Sequence, residues 1–563
     1  MASIVKKRIN GKLYYYAVET KWIEGKSRIV WQKYLGKVED IVQAVTAAAP
    51  PAPQTAKVFE FGAVAALYSI AERLCLADTI DKHVSKRNQG ASVGNYMLIA
   101  AINRCIAPKS KRQIADWFAS TSLRRWLPMR PEQLSSQRFW DHMGYLDEKE
   151  IERIEDELAQ NLVREFGVDV RALLYDATNF FTYIDSTTES ELAQRGHSKA
   201  KRNDLRQVGL ALLVTTDFHI PLLHQVYPGN RPDAKQFESI TGGLSRRYQT
   251  LSQHCQDITL IFDKGNNSEK NLSRIEKGPF HFVGSLVPTH HTDLLNVPLD
   301  QFTPVPDERC AGVRAYRTTR EVLGIERTVI VTYSENLFVG QIQGLTMHLN
   351  KAVKALKEIQ RRLLAKKPSR GGKPVTRTSV EKQVKVALSA QFLSAVVRYD
   401  IQEVDGRPQL TFMIDRSALR QLEDRSFGKT ILFTDQHDWS TADIIGAYRG
   451  QANIEEAFKR MKDPHFLSWS PMFHWTDQKI RVHAFYCVLA LTLTALLRQE
   501  LHRNGIELSI PALLETLSGI YEVAVIYPHN EGRRYKDHMT LTERSPLQQQ
   551  LMDLLKLDRY AIT

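Results

Sequence analysis

The chain has 563 residues, of which 43% are apolar and 25% charged, and carries a net charge of +13 with a pI of about 9.3. Such a length exceeds one ordinary core, so several domains are expected, and the composition is that of a globular chain rather than a disordered one. No run is expected to reach the roughly 18 apolar residues of a membrane span. The N-terminal MASIVKKRINGK lacks a signal peptide's apolar stretch. Five scattered cysteines with no C-x-x-C pair argue against a zinc site or a disulfide framework, so the expected location is cytoplasmic.

Residues 4–37 alternate apolar and polar through KLYYYAVET and SRIVWQKYLG, which predicts a β-hairpin unit over 1–45. Residues 1–37 hold nine Lys/Arg and two Glu, a bias that suits a polyanionic partner. AAAPPAPQTA then reads as a linker over 46–56. From 57 to 170 the spacing is helical. Within it, KSKRQIADWFASTSLRRWL and SSQRFWDHMGYL mix Arg and Lys with Trp and Phe, as a DNA-binding region would and as a bundle with snorkelling arginines also would.

At 171 the pattern changes. ALLYDATNFFTYI, QVGLALLVTTD and IPLLHQVYPGN predict three strands, AKQFESITGGLSRRYQTLSQH a helix, ITLIFD a strand, SEKNLSRIEK a helix and FHFVGSLV a fifth strand. This is the element order of an RNase H-like fold. Residues 289–430 interrupt it with strands (RAYRTTREVL, ERTVIVTY, QLTFMID), a helix near 338–365, the basic stretch 361–377 and a helix near 378–396. The core resumes at KTILFTDQ and the helix STADIIGAYRGQANIEEAFKRMK. KIRVHAFYCVLALTLTALLRQEL is a strongly apolar helix, either core or an interface. The fold class is therefore α/β: an RNase H-like core with a mixed five-stranded sheet (171–288 and 431–505), an α+β insertion (289–430), and a helical C-terminal region (506–563).

Asp176 and Asp263 each end an apolar, β-branched run, and Glu455 lies on a helix. Facing one another, three such carboxylates form a cage for two divalent cations, because Mg²⁺ takes oxygen ligands. Two such ions can activate a nucleophile and stabilise a leaving oxygen in phosphodiester chemistry. At 100° per residue, Tyr448, Gln451, Glu455, Lys459 and Lys462 fall close to one line along the helix, beside an apolar stripe of Ile454, Phe458 and Met461. A plain Glu455–Lys459 i,i+4 pair would not require Tyr448 on the same line.

At these residues the chain resembles the DDE transposases of bacterial insertion sequences, in the group with a Y-x₂-R-x₃-E-x₆-K signature and a β-rich insertion domain. Tyr448, Glu455 and Lys462 match the signature. Gln451 stands where the group has Arg, and Arg449 lies nearby. LYDATNFF, YPGNRPDA and LIFDKGNN are similar to the group's strand motifs. The resemblance implies cut-and-paste transposition by Asp176, Asp263 and Glu455 with two Mg²⁺ (Mn²⁺ as substitute). It implies phosphate contacts from Tyr448, Arg449, Gln451, Lys459 and Lys462, and backbone contacts from Arg361, Arg362, Lys366, Lys367 and Arg370. The partners would be double-stranded DNA, as element ends and target, and a second copy of the chain. A two-metal nuclease or resolvase without strand transfer, and a catalytically silent DNA-binding repressor, are the alternatives.

Overall fold

The computed structural model describes residues 2–562 apart from 24–25, 49–52, 88, 197–201, 232–234, 240, 244–256, 279, 365–374, 405, 466 and 528–537. Its strands, in chain order, are β1 (Ala2–Ile9), β2 (Lys12–Ile23), β3 (Lys26–Gly36), β4 (Thr55–Glu60), β5 (Ala172–Thr182), β6 (Arg206–Thr215), β7 (Pro221–Pro228), β8 (Ile258–Ile261), β9 (Phe280–Ser285), β10 (Thr303–Pro304), β11 (Val313–Val322), β12 (Ile325–Ser334), β13 (Val397–Val404), β14 (Arg407–Ile414), β15 (Lys429–Thr434), β16 (Tyr521–Ile526) and β17 (His538–Leu541). The chain is mixed α/β and divides into two compact units.

One unit comprises Met1–Ala65, Ser120–Trp126 and Glu515–Thr563. The predicted hairpin is here a three-stranded sheet, β1-β2-β3, and β4 joins a second sheet in the order β17-β16-β4. Two readings change accordingly. The 46–56 stretch contains the end of the helix Val38–Ala48 and the start of β4, and the C-terminal region holds two strands as well as helices. The alternating, β-branched YEVAVI of β16 finds its partner in β4, hundreds of residues away, which local pattern cannot reveal. Glu522, 1% exposed, is neutralised by Arg125, whose Nε and Nη2 both donate to it at 3.1 and 2.5 Å.

The other unit comprises Ala66–Ala119 and Leu127–Leu514. Its nine-stranded sheet runs β10-β11-β12-β15-β9-β8-β5-β6-β7. Only β5/β8 and β8/β9 are parallel. The five predicted core strands are β5 to β9 in the order β7-β6-β5-β8-β9, but the sheet does not stop there. β15 pairs antiparallel with β9, and β12 and β11 pair on beyond it. Most strands of the expected insertion thus continue the main sheet. The true excursion is 335–428: β12 ends at Ser334, whose N–H donates to the Gly428 carbonyl at 2.9 Å, and Tyr333 pairs with Lys429. Gly428 has φ +75°, and a Cβ there would lie 2.7 Å from the Tyr333 ring, so only glycine makes this return.

The excursion carries its own core. The helix Glu335–Leu364 buries Leu345, Ala352, Leu356 and Ile359 against Val380, Val384, Leu393 and the β13–β14 hairpin. The terminal strands of the main sheet are guarded. β10 has two residues and ends in Pro304, while β7 begins and ends in proline and lies against the helices Glu148–Phe166 and Asp477–Arg503.

Asp477–Arg503 corrects a sequence expectation, since it is long and apolar enough to cross a membrane. It is a core helix instead, with 94% of its most apolar window buried inside the fold. In the preceding helical region Trp117, Phe118 and Phe139 are likewise buried, while Trp126 and Trp140 are half-buried.

Candidate active site

Asp176 does not end its strand. It is the fifth residue of β5, paired with Leu212 of β6. What ends is the pairing on the other side, where β8 leaves β5 after Leu174↔Ile261. Asp176, still in β5, and Asp263, in the turn just after β8 ends at Ile261, each lie two residues beyond that last pair, on the same side of the opening. The β8/β9 register Ile261↔Val283 puts Ser285 in the same row. Three polar side chains therefore line up where the apolar sheet opens.

The helix Thr441–Lys462 crosses this opening, capped by Ser440, whose side chain accepts from the Asp443 N–H. Its apolar stripe packs as the spacing predicts, with Ile454, Phe458 and Met461 all buried. Gly450 brings it close to the sheet: a Cβ at that position would touch Leu174 at 3.4 Å. Gln451 Nε2 donates to the Tyr175 carbonyl at 3.1 Å, and Lys462 Nζ donates to Thr178 Oγ1 at 2.7 Å. These two contacts tie both sides of Glu455 to β5. Asp176, Asp263, Glu455, Tyr448, Arg449, Gln451, Lys459 and Lys462 line one cleft of about 720 Å³. Its opposite wall comes from β11, β12 and β15 (Val313, Thr332, Ser334, Thr430, Leu432) and from Leu337.

Asp263 is held by its neighbours. Oδ1 accepts from the Lys264 N–H at 2.7 Å, from Ser285 Oγ at 3.4 Å and from the Tyr448 hydroxyl at 3.3 Å. The Tyr448 hydroxyl also lies 2.7 Å from Ser285 Oγ. Burial, with the Asp263 carboxylate adding to it, pushes the Tyr448 pKa up to about 12, so at neutral pH the phenol is a donor. Asp176 Oδ1 accepts from the N–H of Ala177 at 2.8 Å. Among the described residues no three His, Cys, Asp or Glu side chains close into a metal-binding cluster. The cleft nonetheless gathers three carboxylates, Asp176, Asp263 and Glu455, whose oxygens are the chemistry that a hard divalent cation takes.

The remaining candidates are placed differently. Gln451, at the signature's arginine position, turns its amide to the strand backbone and leaves Oε1 buried without a partner. Arg449 Nη1 donates to the Arg309 carbonyl at 2.6 Å, at the margin of the cleft. Lys462 also lies over the Phe180 ring, 5.3 Å from its centroid. Arg361 and Arg362 are not brought to the cleft. They lie at the far end of the helix Glu335–Leu364, about 40 Å along it from Glu335 at 1.5 Å per residue, where they meet Glu358 and Gln383. Lys366, Lys367 and Arg370 fall outside the described residues. Sequence reasoning missed Ser285 and Thr178. Ser285 had one signal, a small polar residue closing an apolar strand.

The family model described as transposase DDE domain matches residues 171–493, more than half of the chain and the whole of the cleft. No curated protein matches. A cryo-EM structure of the piggyBac transposase synaptic complex with hairpin DNA aligns at 8% identity and a TM-score of 0.36, over 80% of this chain and 79% of that one, a likeness too distant to bear on fold or function. On the strength of the domain match the chain belongs to the transposase DDE domain family.

Proposed function

We propose that this chain is the transposase of a bacterial insertion sequence, which binds the ends of its own element, cuts the DNA and joins the freed 3′-hydroxyls to a target. The supporting observation is that Asp176 and Asp263, each two residues past the last β5/β8 pair, line one cleft with Glu455. We read β5 to β9 as an RNase H-like core and the three carboxylates as the catalytic residues.

Asp176, Asp263 and Glu455 would hold two Mg²⁺, which when bound supply an activated nucleophile and stabilise the leaving oxygen. The chain's other groups act around them. Tyr448 and Ser285 fix the rotamer of Asp263 by hydrogen bonding. Lys459 and Lys462 bring two cations to the cleft wall, where they meet the phosphates flanking the reacting bond. Arg361, Arg362 and the Lys366–Arg370 stretch contact the backbone farther out. The acting form is a homodimer on double-stranded DNA, since two ends must be brought together.

The test uses labelled DNA spanning the flanks of the chain's own gene, with Mg²⁺, beside Asp263→Asn. Cleavage to 3′-hydroxyl ends that join a second DNA, reduced about 10³-fold in the variant, is the expected result. Cleavage without joining identifies a nuclease, and binding without cleavage in both Mg²⁺ and Mn²⁺ a repressor.

A further inference from the structure

We infer that one face of the β1-β2-β3 sheet is a DNA-reading surface that enters the major groove, with its outer strands on the phosphates and its central strand on the bases. The inference rests on the transposase reading for its duplex ligand and on pairing register for its geometry.

Register divides the sheet into two unlike faces. On one face, β1 contributes Lys6 and Arg8, β2 contributes Tyr15, Glu19 and Lys21, and β3 contributes Lys26, Arg28, Trp31 and Lys33, as the pairs Lys6↔Tyr15, Lys21↔Arg28 and Glu19↔Trp31 establish. Six cations and a single acid share it. The other face holds Tyr14, Tyr16, Val18 and Tyr34, with Lys7 and Lys12 as its only cations among the described residues. Part of that second face packs on itself. Tyr34 lies 6.0 Å from Tyr14 and 5.3 Å from Tyr16, Lys7 caps the Tyr16 ring at 4.8 Å, and Val18 is 1% exposed. Both faces keep exposed residues, Trp22 (77%) on this second face and Trp31 (51%) on the cationic one, so it is charge that sets them apart.

A general solvated surface would scatter its charges over both faces and both signs. Here five of the six cations lie on the outer strands, Lys6 and Arg8 on one side and Lys26, Arg28 and Lys33 on the other. The outer strands stand about 10 Å apart, at two strand spacings. The major groove is about 12 Å wide and accepts β-ribbons. A sheet of that width sets a cationic edge beside each phosphate strand and leaves Tyr15, Glu19 and Lys21 of β2 over the base edges. A carboxylate there accepts from cytosine N4, which gives Glu19 a role in sequence preference.

The experiment measures binding without catalysis, using full-length Asp263→Asn protein without divalent metal. The probes are a duplex spanning the element boundary, a shuffled duplex of equal composition, and the single strand. The triple variant Arg8→Ala, Arg28→Ala, Lys33→Ala should lose at least tenfold in affinity for the boundary duplex, and the slope of log K against log salt should fall by about 2.7, at 0.9 per phosphate contact. The Lys7→Ala, Lys12→Ala pair should bind as the parent does. Glu19→Gln should narrow the ratio of boundary to shuffled affinity with little change in salt slope. All these side chains are partly or largely exposed, and melting curves equal to the parent's confirm folding. Equal losses from both faces, an unaltered salt slope in the triple variant, or tighter binding of the single strand would each overturn the inference. Metal-dependent cleavage by the otherwise wild-type chain reports separately on the active-site reading, so either can fail alone.

Discussion

Tyr448 and His219 show how burial sets chemistry at single residues. The Tyr448 phenol, pushed up to about 12, bridges Asp263 and Ser285. A hydrogen bond to a charged group contributes about 1.5–3 kcal/mol, so Tyr448→Phe is expected to slow strand cleavage by about 10- to 150-fold. The pH profile between about 7 and 9 should keep its shape, because the phenol does not titrate there; single-turnover cleavage across that range checks both. His219 lies in the tight turn between β6 and β7 with φ +57°, and burial, helped by Arg460 and Arg498, drops its pKa to about 4. The unfolded chain therefore binds this proton near pH 6.5 and the folded chain only near pH 4, so stability falls as pH falls through that window, by on the order of 3 kcal/mol. His219→Asn, which tolerates the left-handed turn, should flatten the urea midpoint between pH 7 and 4.5. At this scale the glutamate helix was legible, because Tyr448, Glu455 and Lys462 repeat at helical spacing. Ser285 was not, since its meaning lies in a register shared with Asp263 across two strands.

The helix Thr441–Lys462 seats closely on β5 at Gly450, where a methyl just fits. A methyl at Gly450 would sit in ordinary contact with Leu174, so Gly450→Ala should keep cleavage within about threefold and add up to about 1 kcal/mol of helix propensity. Gly450→Val adds branches with no room on that side, levers Glu455 away from Asp176, and should cost cleavage at least about tenfold while protein–DNA affinity holds. Comparing cleavage rate with binding in the two variants separates placement from folding. The five core strands were readable in sequence because each is a short apolar run bounded by turns. That β11, β12 and β15 extend the same sheet was not readable. Their residues look like those of any half-buried strand, and only long-range pairing decides which sheet takes them.

Charge is distributed unevenly over the whole molecule. The excursion 335–428 holds 17 Lys/Arg against 9 Asp/Glu, a net +8 of the chain's +13. On its long helix Lys351, Lys354, Lys357 and Arg361 project opposite the stripe that buries Ala352, Leu356 and Ile359. Because Ser334 and Gly428 are hydrogen-bonded neighbours, a two-residue Asn-Gly turn joining them can replace 335–427 without disturbing β12 or β15. The shortened protein should fold, with its sheet signature retained by circular dichroism. Its DNA affinity should be weaker and less salt-dependent between about 50 and 200 mM; an unchanged salt slope would show that the excursion meets no phosphates. The guarded ends of the main sheet have a different consequence. An open strand edge is a template for pairing with another chain, another copy of this one included. The short β10 with its Pro304 and the prolines that bound β7 remove backbone donors at those positions, which works against strand-on-strand pairing there.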